Sequence, residues 1–131
     1  MAATIDIPQM YNATNHFIDR HAGKTSGARV AYTDHTGDWT YQKLAAMVNQ
    51  AGHVLSNLGL KAEQRMLMCM TDSVWFPAVF WGAIKIGAVP VPVNTMLTDA
   101  DYAYMLNDSC ARVLVVSESL YPKFVPHIDA Q

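Results

Sequence analysis

Few residues in this chain could do chemistry, and their spacing argues against most of what their types suggest. Gly23-Lys24-Thr25 has the order that closes a Walker-type phosphate loop, but the glycine required five positions before Gly23 is Ile18, and the segment follows a helical pattern rather than a strand. It reads as a helix-ending turn. His16 and His21 are five apart, on different faces of a helix, which spoils the four-residue spacing of a metal pair. Asp99 and Asp101 could be an acid/base pair, yet their place in a helix's first turn explains them by capping and the helix dipole. Cys69 lies in an apolar run with no basic neighbour to stabilise a thiolate, so it reads as a core thiol. Cys110, beside Arg112 at a strand entrance, is left open. Trp75, Phe76, Phe80 and Trp81 could line an aryl pocket, although their helical spacing makes them core. The expectation is that this segment holds no catalytic, cofactor-binding or metal-ligating residue.

The elements that would position such groups are easier to read. Residues 1–10 lack periodicity. Asn12 or Thr14 can cap a first helix in which Phe17, Ile18 and His21 share an apolar side and which Gly23 ends. Val30 and Tyr32 alternate on one face of a strand, Asp34 to Gly37 supplies a turn, and Asp38 to Thr40 returns, making a small hairpin. Tyr41, Leu44, Met47, Val48, Ala51, Val54, Leu55 and Leu58 recur at helical spacing until Gly59. Arg65 to Met70 fits a strand covered on both faces. A helix over 74–86 follows, capped by Asp72 or Ser73, with Pro77 near its first turn and Gly87 closing it.

Ala88 to Val93 is extended. Because strand N–H groups alternate sides, the donors missing at Pro90 and Pro92 fall on one edge. Thr98 and Asp101 form a capping signature for a helix to about Leu106. Arg112 to Val116 is another buried strand, and Pro122 and Pro126 keep any final helix short. After the hairpin, helix and strand alternate with short connections, which is half of a doubly wound α/β sheet. No repeat, low-complexity tract or linker divides it.

The chain has 131 residues, 51% hydrophobic and only 15% charged, with a net charge of -2, where an ordinary soluble domain carries roughly 25% charged residues. One domain at most fits this length. So little polar cover predicts that apolar surface packs against further polypeptide, and the chain reads as a fragment. The absence of a basic run argues against nucleic acid as a partner. With no charge-then-apolar order before Arg20, a secretory signal is not expected, and the reading is cytoplasmic with reduced thiols. The matches to N-x-Ser/Thr at Asn12 and Asn107 then carry no meaning. Trp75 to Val93 is long and apolar enough to suggest a membrane helix, but Pro77, Gly82, Gly87, Pro90 and Pro92 divide it, so no membrane span is expected.

Three stretches together carry a resemblance. Trp39-Thr40-Tyr41-Gln42-Lys43-Leu44 and the run Gly82-Ala83-Ile84-Lys85-Ile86-Gly87-Ala88-Val89-Pro90-Val91-Pro92-Val93-Asn94 resemble, in order and separation, the first two core motifs of the adenylate-forming acyl-CoA synthetase superfamily. Asp101 to Leu106, Asp108-Ser109 and Ala111 to Glu118 look most like its benzoate-CoA ligase branch, as do Phe76 to Phe80 and Asn94 to Thr98. The resemblance runs from about Phe17 to the end. It implies that 1–131 is an incomplete N-terminal portion of the AMP-dependent synthetase/ligase large domain, contributing part of a doubly wound αβα sheet layer with a small N-terminal hairpin.

The implied parent activates benzoate with ATP and Mg to benzoyl-AMP and transfers the acyl group to coenzyme A. Its partners are then a small aromatic acid, ATP, CoA and the remainder of its own polypeptide, with a homodimer compatible and no membrane. The family's phosphate loop, acid pocket and catalytic lysine all fall beyond residue 131, so no catalytic role transfers to this chain, which alone should be inactive. Lys43 stands where the family commonly has Glu, leaving Thr40 to cap alone, with the cation opposing the dipole by about 0.3–1 kcal/mol. The alternatives are a synthetase for a fatty or cinnamoyl-type acid, or a non-catalytic flavodoxin-like interaction module.

Overall fold

Met66, Leu67, Met68 and Cys69 are all fully buried, as a strand covered on both faces must be. In a computed structural model that describes residues 6–23 and 25–128, they form β3 (Arg65–Cys69), the centre of a three-stranded parallel sheet. Its neighbours are β4 (Val89–Pro92) and β5 (Val113–Val116), in the order β4-β3-β5. Alternate side chains meet different layers. Met66, Met68, Val113 and Val115 pack with Leu55 and Ala83, whereas Leu67, Cys69, Leu114 and Val116 pack with Tyr102, Leu106 and Phe124. The first layer is α2 (Tyr41–Asn57) and α3 (Trp75–Lys85); the second is α4 (Asp99–Ser109), a 3₁₀ turn (Glu118–Lys123) and the short α5 (Val125–Ile128). This is the α/β architecture expected.

The separate hairpin is β1 (Val30–Asp34) with β2 (Gly37–Thr40). An irregularity between Val30 and Tyr32 breaks the expected alternation. Ala31 and Tyr32 both reach the core and Val30 is exposed, because a bulge turns the next side chain to the other face. Ahead of it lies a π-helical turn (Asn15–Asp19) running into α1 (Arg20–Ala22). Asn12 caps this segment by accepting from the Thr14 N–H at 3.0 Å. Thr14 itself is buried and donates its hydroxyl to the Trp81 carbonyl at 2.8 Å. Ile18 is buried but Phe17 is exposed, so the two do not share one apolar side. Lys24 lies outside the described residues, as do residues 1–5; residues 6–10 carry no helix or strand.

Thr40 begins α2, its hydroxyl accepting from the Lys43 N–H at 3.3 Å. The apolar stripe is narrower than its periodicity suggests, since Val54 and Leu58 are exposed. α2 and α3 touch backbone to backbone. A Cβ on Gly82 would lie 2.9 Å from both Gly52 N and Val48 O, so only glycine permits this approach.

The start of α3 corrects another expectation. Neither Asp72 nor Ser73 caps it by a side-chain bond. The Val74 N–H instead donates to Asp34 Oδ2 at 2.9 Å, across 40 residues, from the turn of the hairpin. Trp75 is also not core: it is 52% exposed, while Val74 takes the buried place. At the other end, Asn12 Nδ2 donates to the Ile84 carbonyl at 2.9 Å, and Lys85 pairs with Asp19 at 2.9 Å. α4 has the capping box expected of Thr98 and Asp101, but continues to Ser109. Among the described residues no helix is long and apolar enough to cross a membrane.

Candidate functional site

In an open parallel sheet, ligands gather beyond the carboxyl ends of the strands, where the strand order reverses. Here the chain passes from β3 to β4 on one side, then returns across β3 to β5 on the other, so the reversal lies beside the exits of these strands. Met70, Thr71, Asp72, Phe76, Val93, Asn94 and Thr95 line a cleft of about 450 Å³ there. The exits of β3 and β5 are tied together: the Thr71 N–H donates to Ser117 Oγ at 2.9 Å, and the two hydroxyls lie 3.2 Å apart.

The loop after β4 is braced from beneath. Buried Tyr102 donates its hydroxyl to the Asn94 carbonyl at 2.8 Å and accepts from the Leu97 N–H at 3.3 Å. Burial is the first cause, and a hydrogen bond with the Cys69 side chain the second, that raises the Tyr102 phenol above its ordinary range, so it stays protonated and keeps this bond. Asn94 Oδ1 accepts from the Met96 N–H at 2.8 Å, an Asx turn that sets the loop's direction. Asp101 is held below the usual carboxylate range by the hydroxyl and then the backbone N–H of Thr98. That bonding fits capping, the reading given to it from sequence.

The wall offers hydroxyls, one amide and one carboxylate, Asp72, but no Lys, Arg or His. Such a surface can orient a polar group and exclude water. It does not by itself fit a magnesium polyphosphate, which demands cations or a cradle of backbone donors around the phosphates.

The other sequence candidates are not brought to this cleft. His16 is exposed between the Tyr11 and Phe17 rings, whereas His21 accepts from Arg20 Nε at 3.0 Å and stacks on Tyr41. Among the described residues no group of three or more His, Cys, Asp or Glu is placed to hold a metal. Cys69 is buried and Cys110 exposed, both as free thiols. Phe76 alone of the four aromatics reaches the cleft wall; Phe80 and Trp81 stack edge to face at 5.2 Å away from it. Sequence reading missed Thr71, Ser117 and Asn94 as a group. The available signal was their position, each one or two residues past a strand of the parallel sheet; of the two strands read as covered, β3 is buried from Met66 onward, whereas every residue of β5 is only half-buried.

A profile of the AMP-binding enzyme family matches residues 18–130. The chain belongs to the AMP-binding enzyme family. It is 47% identical over 123 residues to a benzoate–CoA ligase of Thauera aromatica, covering 93% of this chain and 23% of that protein. It is 39% identical over 112 residues to a 4-hydroxybenzoate–CoA/benzoate–CoA ligase of Rhodopseudomonas palustris, covering 86% of this chain and 21% of the relative. Among solved structures, a benzoate CoA ligase from Burkholderia xenovorans superposes with a TM-score of 0.86 at 34% identity, over 93% of this chain and 24% of the other. The chain therefore spans less than a quarter of each of these relatives. The fold is that of the N-terminal domain of adenylate-forming enzymes.

Proposed function

We propose that this AMP-binding chain works as part of an aryl-CoA ligase acting on benzoate. The observation that carries this reading is the 47% identity to a benzoate–CoA ligase across 93% of the chain. In that reaction a carboxylate oxygen of the acid attacks the α-phosphorus of ATP and pyrophosphate leaves. The thiol sulfur of coenzyme A, losing its proton, then displaces AMP from the acyl carbon. Magnesium supplies charge neutralisation on the phosphates, and the compartment is the cytoplasm.

Residues 1–131 contribute scaffold, as an incomplete part of the synthetase large domain, and carry no catalytic, cofactor-binding or metal-ligating side chain. The two motifs behind the resemblance support that division. Thr40 starts α2, while Gly87 ends the α3 turn at a φ of +82° and hands the chain to the prolines of β4. These are structural duties.

The test is benzoate-dependent exchange of pyrophosphate into ATP, measured on the 131-residue chain and on a polypeptide joining it to the remaining three quarters of a benzoate ligase. The chain alone should give none, because positioning and charge stabilisation supply the rate in such chemistry and its cleft lacks cations. The joined polypeptide should exchange with benzoate in preference to a long-chain fatty acid. Exchange by the chain alone would overturn the scaffold role; preference of the joined polypeptide for a fatty acid would overturn the aryl assignment.

A further inference from the structure

Three strands do not cover all that packs on them. Met66 to Cys69 of β3 are buried, but every residue of β5 is only half-buried. The outer edge of β5 is unpaired among the described residues. The Arg112 N–H donates inward to the Arg65 carbonyl at 2.9 Å, so the alternating Val113 and Val115 direct their N–H and C=O groups away from β3. Beside that edge the apolar side of α2 and α3 runs on past the sheet. Val54, Leu58 and Trp75, exposed by 57%, 63% and 52%, wall a groove of about 500 Å³ that β5 itself also lines.

The path of the chain bears on what covers this edge. From β3 it crosses to β4 through α3, on the face of Met66 and Met68; from β4 it crosses back over β3 to β5 through α4, on the face of Leu67 and Cys69. A change of direction together with a change of face keeps one handedness, as the right-handed rule for parallel crossovers requires. After β5 the chain enters the turn Glu118–Lys123 and α5, where Leu120 and Phe124 pack again on the α4 face. A right-handed return from that face steps the way β4 to β5 did, outward past β5. The β4 edge is no alternative, because Pro90 and Pro92 leave it without donors.

We propose that the outer edge of β5 receives a parallel strand from the remainder of an aryl-CoA ligase, and that Val54, Leu58 and Trp75 close over that strand. The inference rests on the assignment to such a ligase; the chain spans 23% of the Thauera aromatica relative, which leaves ample sequence to supply the strand. Its chemistry is defined by what it meets. The strand is apolar on both faces, as β3 is, because α2 covers one face and the layer of α4 the other. It has no proline where it faces Val113 and Val115, whose N–H and C=O groups it must satisfy once water is excluded.

The test compares backbone hydrogen exchange over residues 112–116 in the dilute 131-residue chain and in the polypeptide joining it to the remaining three quarters of a benzoate ligase. The N–H groups of Val113 and Val115 should exchange about tenfold or more slowly in the joined polypeptide, while that of Leu114, which faces β3, is protected in both. Val54→Gln should lower the denaturant midpoint of the joined polypeptide and leave that of the chain nearly unchanged, since its side chain is exposed there. A photo-crosslinker on the exposed thiol of Cys110, just ahead of β5, should mark the amino end of the incoming strand when the added polypeptide carries no cysteine. Unchanged exchange at Val113 and Val115 on joining, an equal loss from Val54→Gln in both proteins, or crosslinks at the carboxyl end of the strand overturns the proposal. Slow exchange that appears only on concentrating the chain gives the edge to a second copy and also overturns it. Benzoate activation is read separately: a joined polypeptide that protects the edge but prefers a fatty acid sinks the aryl assignment alone, and one that activates benzoate with the edge still exchanging sinks this proposal alone.

Discussion

The two outer edges of the three-stranded sheet end in different ways. Val89 and Val93 donate to the carbonyls of Gln64 and Met68, both at 2.9 Å, so the alternating residues, Pro90 and Pro92, face outward. That edge has carbonyls and no donors. On the other side Arg112 donates to Arg65, so Val113 and Val115 turn both N–H and C=O outward, where no further strand lies among the described residues. Beside β5 runs an apolar groove of about 500 Å³, walled by Val54, Leu58, Trp75 and Val79. One edge is closed chemically, by residue type; the other is left open and is flanked by apolar side chains. The lesson is that a low charge count marks a particular flank of this molecule rather than its surface as a whole.

The largest contrast is expected between the strand both edges share and the loop outside it. Cys69 on β3 should react with a thiol reagent about 10³-fold more slowly than exposed Cys110, since reaching it requires opening the sheet. Counting thiols labelled before and after denaturation tests this, and two fast thiols in the native state would break the comparison. Next comes the helix layer that builds the groove. Gly82→Ala should cost about 1–3 kcal/mol by overpacking against Gly52 and Val48, read as a fall in denaturant midpoint at unchanged slope.

The edges themselves supply the third prediction. The chain should self-associate through β5 and bind an apolar dye in the groove. Val115→Pro, which removes an outward donor, should weaken that association severalfold, whereas Pro90→Val, which adds one to β4, should strengthen it. Sedimentation across a concentration series reads both, and a strictly monomeric chain would end the distinction. The smallest effect concerns Asp34. The Thr36 hydroxyl, then the Val74 N–H, hold its carboxyl well below the usual range. A depressed folded pKa gives stability that is complete above the unfolded value of about 3.8 and is lost as pH falls below it. Asp34→Asn should therefore flatten the acid limb of the stability curve and leave its slope near neutrality unchanged.

Local signals made most of the fold legible. Thr98 and Asp101 announced α4, the proline pair named its outward edge, and the apolar run at 65–70 located the central strand. The failures share a cause. Periodicity says which side of a helix is apolar but not how much of it is covered, which is why Val54, Leu58 and Trp75 are exposed. The cap of α3 and the Gly52–Gly82 contact join residues 30 to 40 positions apart, and no window of sequence contains both partners. Of the cleft, Phe76 and Asn94 lay in stretches already singled out for the resemblance, while the Thr71–Ser117 tie depends on strand order.

Both ends of α3 are held by the first 34 residues: its start by Asp34, its last turns by Asn12, Thr14 and Asp19. These links span 40 to 72 positions. During synthesis the receiving surface thus leaves the ribosome well before the helix it receives, and α3 emerges toward partners already made. Contacts of such long range slow folding in a free chain, which must close the loop by diffusion. Vectorial emergence supplies them in a workable order, with the hairpin and α2 as a mould on which the segment from Val74 to Lys85 sets.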